Sequence, residues 1–138
     1  MSQDKSTKSN RLENLLLVLL LVVSVALIFS LGYFLHTQVP LAVVSSWSME
    51  PTLHVGDIVV VAGSENYSVG EIVVYESPSG LIVHRVVKVN TNSFITKGDA
   101  NPYPDSINPT LTMIKGKVIF VIPYIGNIKL LFEQLIPH

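Results

Sequence analysis

The sequence predicts a mainly β protein, with a single N-terminal transmembrane helix followed by a small β-sandwich or partly open barrel. Three observations predict it. Residues 15–35 form one unbroken apolar run. Short β-branched runs follow between residues 57 and 121, separated at close intervals by turn residues. Between residues 50 and 120 no amphipathic helical pattern of convincing length occurs. With 138 residues, the chain has room for one small domain and an appendage.

Residues 1–14 are polar and read as a cytoplasmic tail, disordered up to the lipid headgroups. Leu15 to Leu35 carries no charged residue and is interrupted only by Ser24, Ser30, Gly32 and Tyr33. At about 1.5 Å rise per residue, roughly 20 such residues span the hydrocarbon core of a bilayer. A cleaved signal peptide has an apolar core of only about 7–15 residues and ends in a small-x-small site. This run is longer, and residues 36–40 offer no such site, so a retained anchor at 15–35 is expected. Lys5, Lys8 and Arg11 precede the run, with Asp4 and Glu13 among them, and no Lys or Arg follows it until Arg85. The positive-inside rule then puts the N-terminus in the cytoplasm and residues 36–138 outside, in a single-pass cell-membrane protein.

Gln38 to Ser46 reads as a short extended approach, with Pro40 disfavouring helix at the residue before it. Strands are expected at 57–62, 71–75, 81–89, 93–96 and 117–121. Glycines 56, 63 and 70, the Ser77-Pro78-Ser79-Gly80 stretch and Asn90-Thr91-Asn92 supply the turns between them. Two prolines in Asn101-Pro102-Tyr103-Pro104-Asp105 remove donors and fix φ, so this stretch must be a shaped loop. Val121 to Ile136 is apolar but broken by Pro123, Gly126, Lys129 and Glu133, too interrupted for a second span. A short interfacial helix around 128–135 and simple packing on the β-core are equal alternatives there.

Composition excludes several classes of function. The formal net charge of −1 gives no electrostatic case for nucleic acid. The absence of cysteine excludes a thiolate nucleophile or metal site, and leaves an exported domain to be held by its core alone. Four scattered histidines make no zinc motif, and no glycine-rich phosphate loop is present, so neither a metal nor a cofactor is expected.

The chemistry-bearing residues cluster just beyond the anchor. Ser48 lies in Ser46-Trp47-Ser48-Met49-Glu50-Pro51-Thr52-Leu53. A serine hydroxyl is a weak nucleophile until a neighbouring base takes its proton. His84, in the longest strand and on one face with Ile82 and Val86, can offer a neutral imidazole near neutral pH. His54 is a rival only six residues beyond Ser48, His36 is near the lipid boundary, and His138 is terminal. A desolvated lysine can also act as base, which brings in Lys97. Asp99 and Asp105 are the carboxylates that could orient an imidazole. The Ser48 N–H is a natural donor to a developing oxyanion. Trp47 suits either the membrane interface or the core.

The Ser46, Ser48, Met49, Pro51, Thr52, Leu53 pattern, followed by Gly56-Asp57, resembles the signature of the type I signal peptidase family. His84-Arg85-Val86-Val87 resembles the box in which bacterial members carry a lysine base and the archaeal and endoplasmic-reticulum branch carries histidine. Thr96-Lys97-Gly98-Asp99 resembles the Lys-Gly-Asp box of that branch. The likeness runs over roughly residues 40–126. It implies a membrane-bound serine endopeptidase that removes signal peptides from exported preproteins after small-x-small sites. It implies Ser48 as nucleophile, His84 as base and Asp105, the second aspartate of its box, as the catalytic carboxylate that orients the imidazole. Asp99 would support the loop, Ser46 would give a second oxyanion donor, Met49 would line the substrate pocket, and Lys97 would be structural or charge-balancing. Pro102 and Pro104 depart from the more polar residues usual in that loop.

The partners implied are preproteins, the bilayer, and export machinery or other membrane subunits. Two other functions fit the same chain: a non-catalytic membrane-tethered β-module that binds signal segments, and a processing peptidase devoted to few substrates. Ser48 is thirteen residues past Leu35, a reach of at most about 45 Å, so the site is expected near the outer leaflet. An extended substrate could add there as a strand to a free sheet edge.

Overall fold

The computed structural model describes residues 3–124. Helix α1 runs Gln3–Phe34, and its Asn10–Phe34 part has a mean hydropathy of 3.0, long and apolar enough to cross a membrane. Its leucines and valines from Leu12 to Leu27 are exposed all round. The polar tail expected to be disordered is helical from Gln3 onward. Lengthening an existing helix adds a hydrogen bond for each residue ordered, so only nucleation is unfavourable, and Lys and Arg propagate well. The helix closes at His36, whose φ of 52° is left-handed, and the Gly63 N–H donates to Leu35 O at 2.8 Å. That bond ties the end of α1 to the sheet.

Six strands follow: β1 (Leu41–Val43), β2 (Ile58–Ala62), β3 (Ile72–Ser77), β4 (Gly80–Val89), β5 (Phe94–Lys97) and β6 (Ile114–Ile122). They form one antiparallel sheet in the order β1-β2-β6-β3-β4-β5, open rather than closed into a barrel. The extended approach before Ser46 contains β1, which pairs Leu41 with Val60 and Val43 with Ile58. β6 starts at Ile114, earlier than its β-branched run suggests. Lys115 and Gly116 are poor strand formers, yet β3 pairs Tyr75 with Ile114 and Val74 with Gly116 around a register shift.

β6 lies between β2 and β3, which leaves β3 central, with Val73, Val74 and Tyr75 all fully buried. A strand covered on both faces loses polar alternation, which is why this run is apolar throughout. One face carries the cluster Val59, Val61 and Val74, capped by Val44, Met49 and Leu53. The other carries Val73, Tyr75, Val86 and Ile114 with Tyr67 and Phe94, whose rings meet edge-on at 5.9 Å. The cover on the first face is therefore the 44–53 segment itself. Met49 and Leu53 sink into the core and fix the chain between them and β1 against the sheet.

Asp57, buried, accepts from the N–H groups of His54 at 2.8 Å and Tyr124 at 2.9 Å, and so closes the turn before β2 onto the end of β6. The alternatives for residues 128–135 fall outside the described residues.

Candidate active site

Ser48 sits in a single 3-10 turn, Trp47–Met49, which continues through Thr52 N–H and Leu53 N–H bonds to Met49 O. Its own carbonyl accepts from Ala100 N–H at 2.9 Å. Gly98 passes so close that a Cβ there would fall 2.5 Å from Ser48 O. The Lys97-Gly98-Asp99 loop thus packs backbone to backbone on the serine. Lys97 Nζ donates to Gly98 O at 2.9 Å and Asn101 O at 2.7 Å, which holds that loop in its turn.

His84 is buried on β4, opposite Val73 of β3. Its Nε2 lies 2.9 Å from Ser48 Oγ, and its Nδ1 lies 2.7 Å and 2.9 Å from the two oxygens of Asp105. A carboxylate can only accept, so Nδ1 carries the proton and Nε2 turns a lone pair to the hydroxyl. Such a line can take the proton of Ser48 as its oxygen attacks. Asp105 N–H bonds to Thr96 O at 2.8 Å, which carries the shaped loop back beside β5. Oδ2 of Asp105 also accepts from the Tyr75 hydroxyl at 2.9 Å and the Thr96 hydroxyl at 2.7 Å. Burial, above all, pushes the Tyr75 phenol up to about 12, so it stays a neutral donor.

Strand alternation separates the two aspartates. Arg85 points away from its neighbour His84 and grips Asp99 with two bonds, Nε to Oδ1 at 2.8 Å and Nη2 to Oδ2 at 2.6 Å. The Thr52 hydroxyl adds a third at 2.6 Å. The Arg85 guanidinium, aided by Thr52, holds Asp99 below the usual carboxylate range. Asp99 thus joins the Ser48 segment, β4 and its own loop, while Asp105 alone meets the imidazole.

Ser46 Oγ is 3.0 Å from Ser48 Oγ. Met49 is only 1% exposed and belongs to the core, although its edge borders the groove beside Ser48. Trp47 is 71% exposed, not a core residue. His54 pairs with Glu50 at 3.3 Å instead of approaching the serine.

The groove has a volume of about 280 Å³ and is lined by residues 43–46, 48–49 and 81–84. β5 pairs with β4 only from Arg85 onward, so among the described residues the 81–84 edge has β3 on one side and no strand on the other. β1 is likewise a sheet edge. The groove lies between two strands with free hydrogen-bonding edges. Among the described residues no group of three or more His, Asp or Glu side chains could hold a metal ion.

Sequence reasoning missed Tyr75 and Thr96. A hairpin register through the turn at 77–80 would set Tyr75 opposite Ile82, on the face of His84, and that signal was available. Thr96 gives no signal, because a threonine in a strand is ordinary.

Residues 27–119, which include Ser48, His84 and both aspartates, match the family model described as Peptidase S24-like. The chain belongs to this peptidase family, in its endoplasmic-reticulum and archaeal type of signal peptidase. It is 33% identical to the signal peptidase complex catalytic subunit SEC11 of Candida albicans, over 80% of this chain and 81% of that protein. It is 34% identical to SEC11 of Candida tropicalis, covering 76% and 72%, and 32% identical to SEC11 of Schizophyllum commune, covering 70% and 66%. The chain therefore spans from about two thirds to four fifths of these family members.

Proposed function

We propose that this protein is a membrane-bound serine endopeptidase that removes N-terminal signal peptides from exported preproteins, cutting after small-x-small sites. The observation that carries the proposal is the unbroken line from Ser48 Oγ through His84 to Asp105, opening on a groove between two free strand edges.

The substrate enters extended and pairs with the free edges at 43–46 and 81–84, which aligns its scissile carbonyl with Ser48. Val43, Val44, Ile82 and Val83 beside that path favour small apolar side chains in a space of about 280 Å³. Ser48 attacks the carbonyl carbon as His84 takes its proton, and the imidazolium is steadied by Asp105. The oxyanion is met by the Ser48 N–H and, after a rotation away from Ser48, by the Ser46 hydroxyl. Collapse breaks the C–N bond, and His84 returns the proton to the leaving amine. A water, deprotonated by the same imidazole, then hydrolyses the acyl-serine. No step calls on a cofactor.

Lys5, Lys8 and Arg11 orient α1 with its start in the cytoplasm, leaving the sheet outside the cell membrane. The bond between Gly63 and Leu35 keeps the groove close to the lipid surface, where signal segments arrive. Because the SEC11 relatives are named as subunits of a complex, partner membrane subunits are part of the proposal.

Ser48→Ala tests the reading. In membranes containing the variant, a preprotein should stay uncut while the variant accumulates and integrates as the parent does. Continued cleavage would end the assignment.

A further inference from the structure

We infer that Tyr75 and Thr96 are positioning residues for the cleavage reaction, their two hydroxyls gripping one oxygen of Asp105 so that the carboxylate stays aimed at Nδ1 of His84. The inference rests on the peptidase reading above and adds Tyr75, which lies outside the motif boxes, and the hydroxyl of Thr96, to which the resemblance gave no role.

The geometry comes from the sheet order. β3, β4 and β5 are neighbours, with His84 on the middle strand. Tyr75 pairs with Ile82 and Thr96 with Val86, the positions two residues either side of His84, so all three side chains share a face. Asp105 lies over that face. Its backbone is tied there by its own N–H to Thr96 O, at the end of a loop containing Pro102 and Pro104. Nothing in that loop fixes the rotation of the carboxylate. The hydroxyls do: Tyr75 donates to Oδ2 from β3 at 2.9 Å and Thr96 from β5 at 2.7 Å. Toward an ionised carboxylate both can only donate.

Tyr75 and Thr96 are both 0% exposed. No solvent reaches the sites they fill, so water cannot readily replace a hydroxyl that is removed. A buried phenol without an acceptor is otherwise unfavourable, because phenylalanine would fill the same space without a polar atom to satisfy. The side chains that face Asp105 are therefore Tyr75 from β3, His84 from β4 and Thr96 from β5. The Arg85–Asp99 pair belongs to the opposite face of β4.

A carboxylate free to turn would hold the imidazole less often in the attacking orientation. Substrate binding along 43–46 and 81–84 would not change, since neither hydroxyl borders the groove. The effect should therefore fall on kcat and leave KM alone.

The full chain, purified in detergent micelles, would be assayed with a synthetic peptide spanning an Ala-x-Ala site. Tyr75→Phe and Thr96→Val, both close in shape to the parent residues, should each lower kcat by about tenfold to a hundredfold with KM unchanged. Thr96→Ser keeps the hydroxyl and should restore most of the rate lost in Thr96→Val. Parent-like kcat in Tyr75→Phe and Thr96→Val would overturn the inference. So would a Thr96→Ser variant as slow as Thr96→Val, or losses that appear in KM, since these point to packing. If Tyr75→Phe does not fold, the comparison of Thr96→Val with Thr96→Ser decides the matter. Ser48→Ala in the same assay separates the two levels. An inactive Ser48→Ala beside a fully active Tyr75→Phe refutes only the positioning role, whereas an active Ser48→Ala refutes the peptidase reading beneath it.

Discussion

Gly98→Ala tests whether the backbone contact behind the serine sets its position. The added Cβ would lie 2.5 Å from Ser48 O and 2.8 Å from Asn101 Nδ2. The asparagine amide can rotate aside, but Ser48 O is backbone and cannot move without its residue. An ordinary contact begins at about 3.4 Å, so relief needs a displacement on the order of 1 Å. The same shift strains the Ala100 N–H bond to Ser48 O, now 2.9 Å, and draws Ser48 Oγ away from His84 Nε2, also 2.9 Å away. A misplacement of roughly 1 Å lowers rates about a hundredfold, equivalent to about 2.7 kcal/mol of barrier. Overpacking should also destabilise the domain by about 1–3 kcal/mol. The assay is kcat for an Ala-x-Ala peptide, read beside Tm. Gly70→Ala is the control: Gly70 has a φ of +96° but nothing within 4 Å of a new Cβ, so stability should fall while kcat is kept. A Gly98→Ala enzyme within about threefold of the parent kcat would refute the reasoning.

Asp99→Asn should lower the stability of the domain by about 1–2 kcal/mol near neutral pH, since it weakens a charge-assisted double bond to Arg85 that is only partly shielded from water. Asp99 has its folded value below the ordinary one. Its contribution is therefore fully present above the unfolded carboxylate value of about 3.9 and is lost as pH falls through the folded value. The Tm difference between variant and parent should narrow between pH 7 and pH 3, and an equal gap at both would contradict the ion-pair account. In α1, Leu20→Asp combined with Val23→Asp adds two charges at mid-helix, each costing about 3 kcal/mol to insert. The variant should be released from membranes by alkaline carbonate washing, and full retention would argue against a spanning helix.

The β character of the domain could be read from residues 57–62, 71–75 and 81–89, because β-branched runs bounded by glycine and proline leave few other options. β1 was hidden inside an approach segment, since three residues such as Leu41–Val43 become a strand only when β2 is there to pair with them. The extension of β6 back through Lys115 and Gly116 was hidden for the same reason. At the candidate site, Ser48 and His84 were conspicuous through their motif boxes, and Asp99 and Asp105 were visible as a pair of which the resemblance favoured Asp105.

The sequence alone determined the apolar length of α1, the alternation that puts His84 and Arg85 on opposite faces, and the supply of one hydroxyl, one imidazole and two carboxylates. These are local properties, set by side-chain chemistry and by the repeat of the strand. Tertiary structure decided which carboxylate meets the imidazole, because that depends on how a proline-bearing loop returns beside β5. It also decided that Tyr75 and Thr96, thirty and nine residues before Asp105, share one of its oxygens. Contacts of that kind depend on strand order and register, which arise from burying both faces of β3 at once and leave no mark on any single stretch of chain.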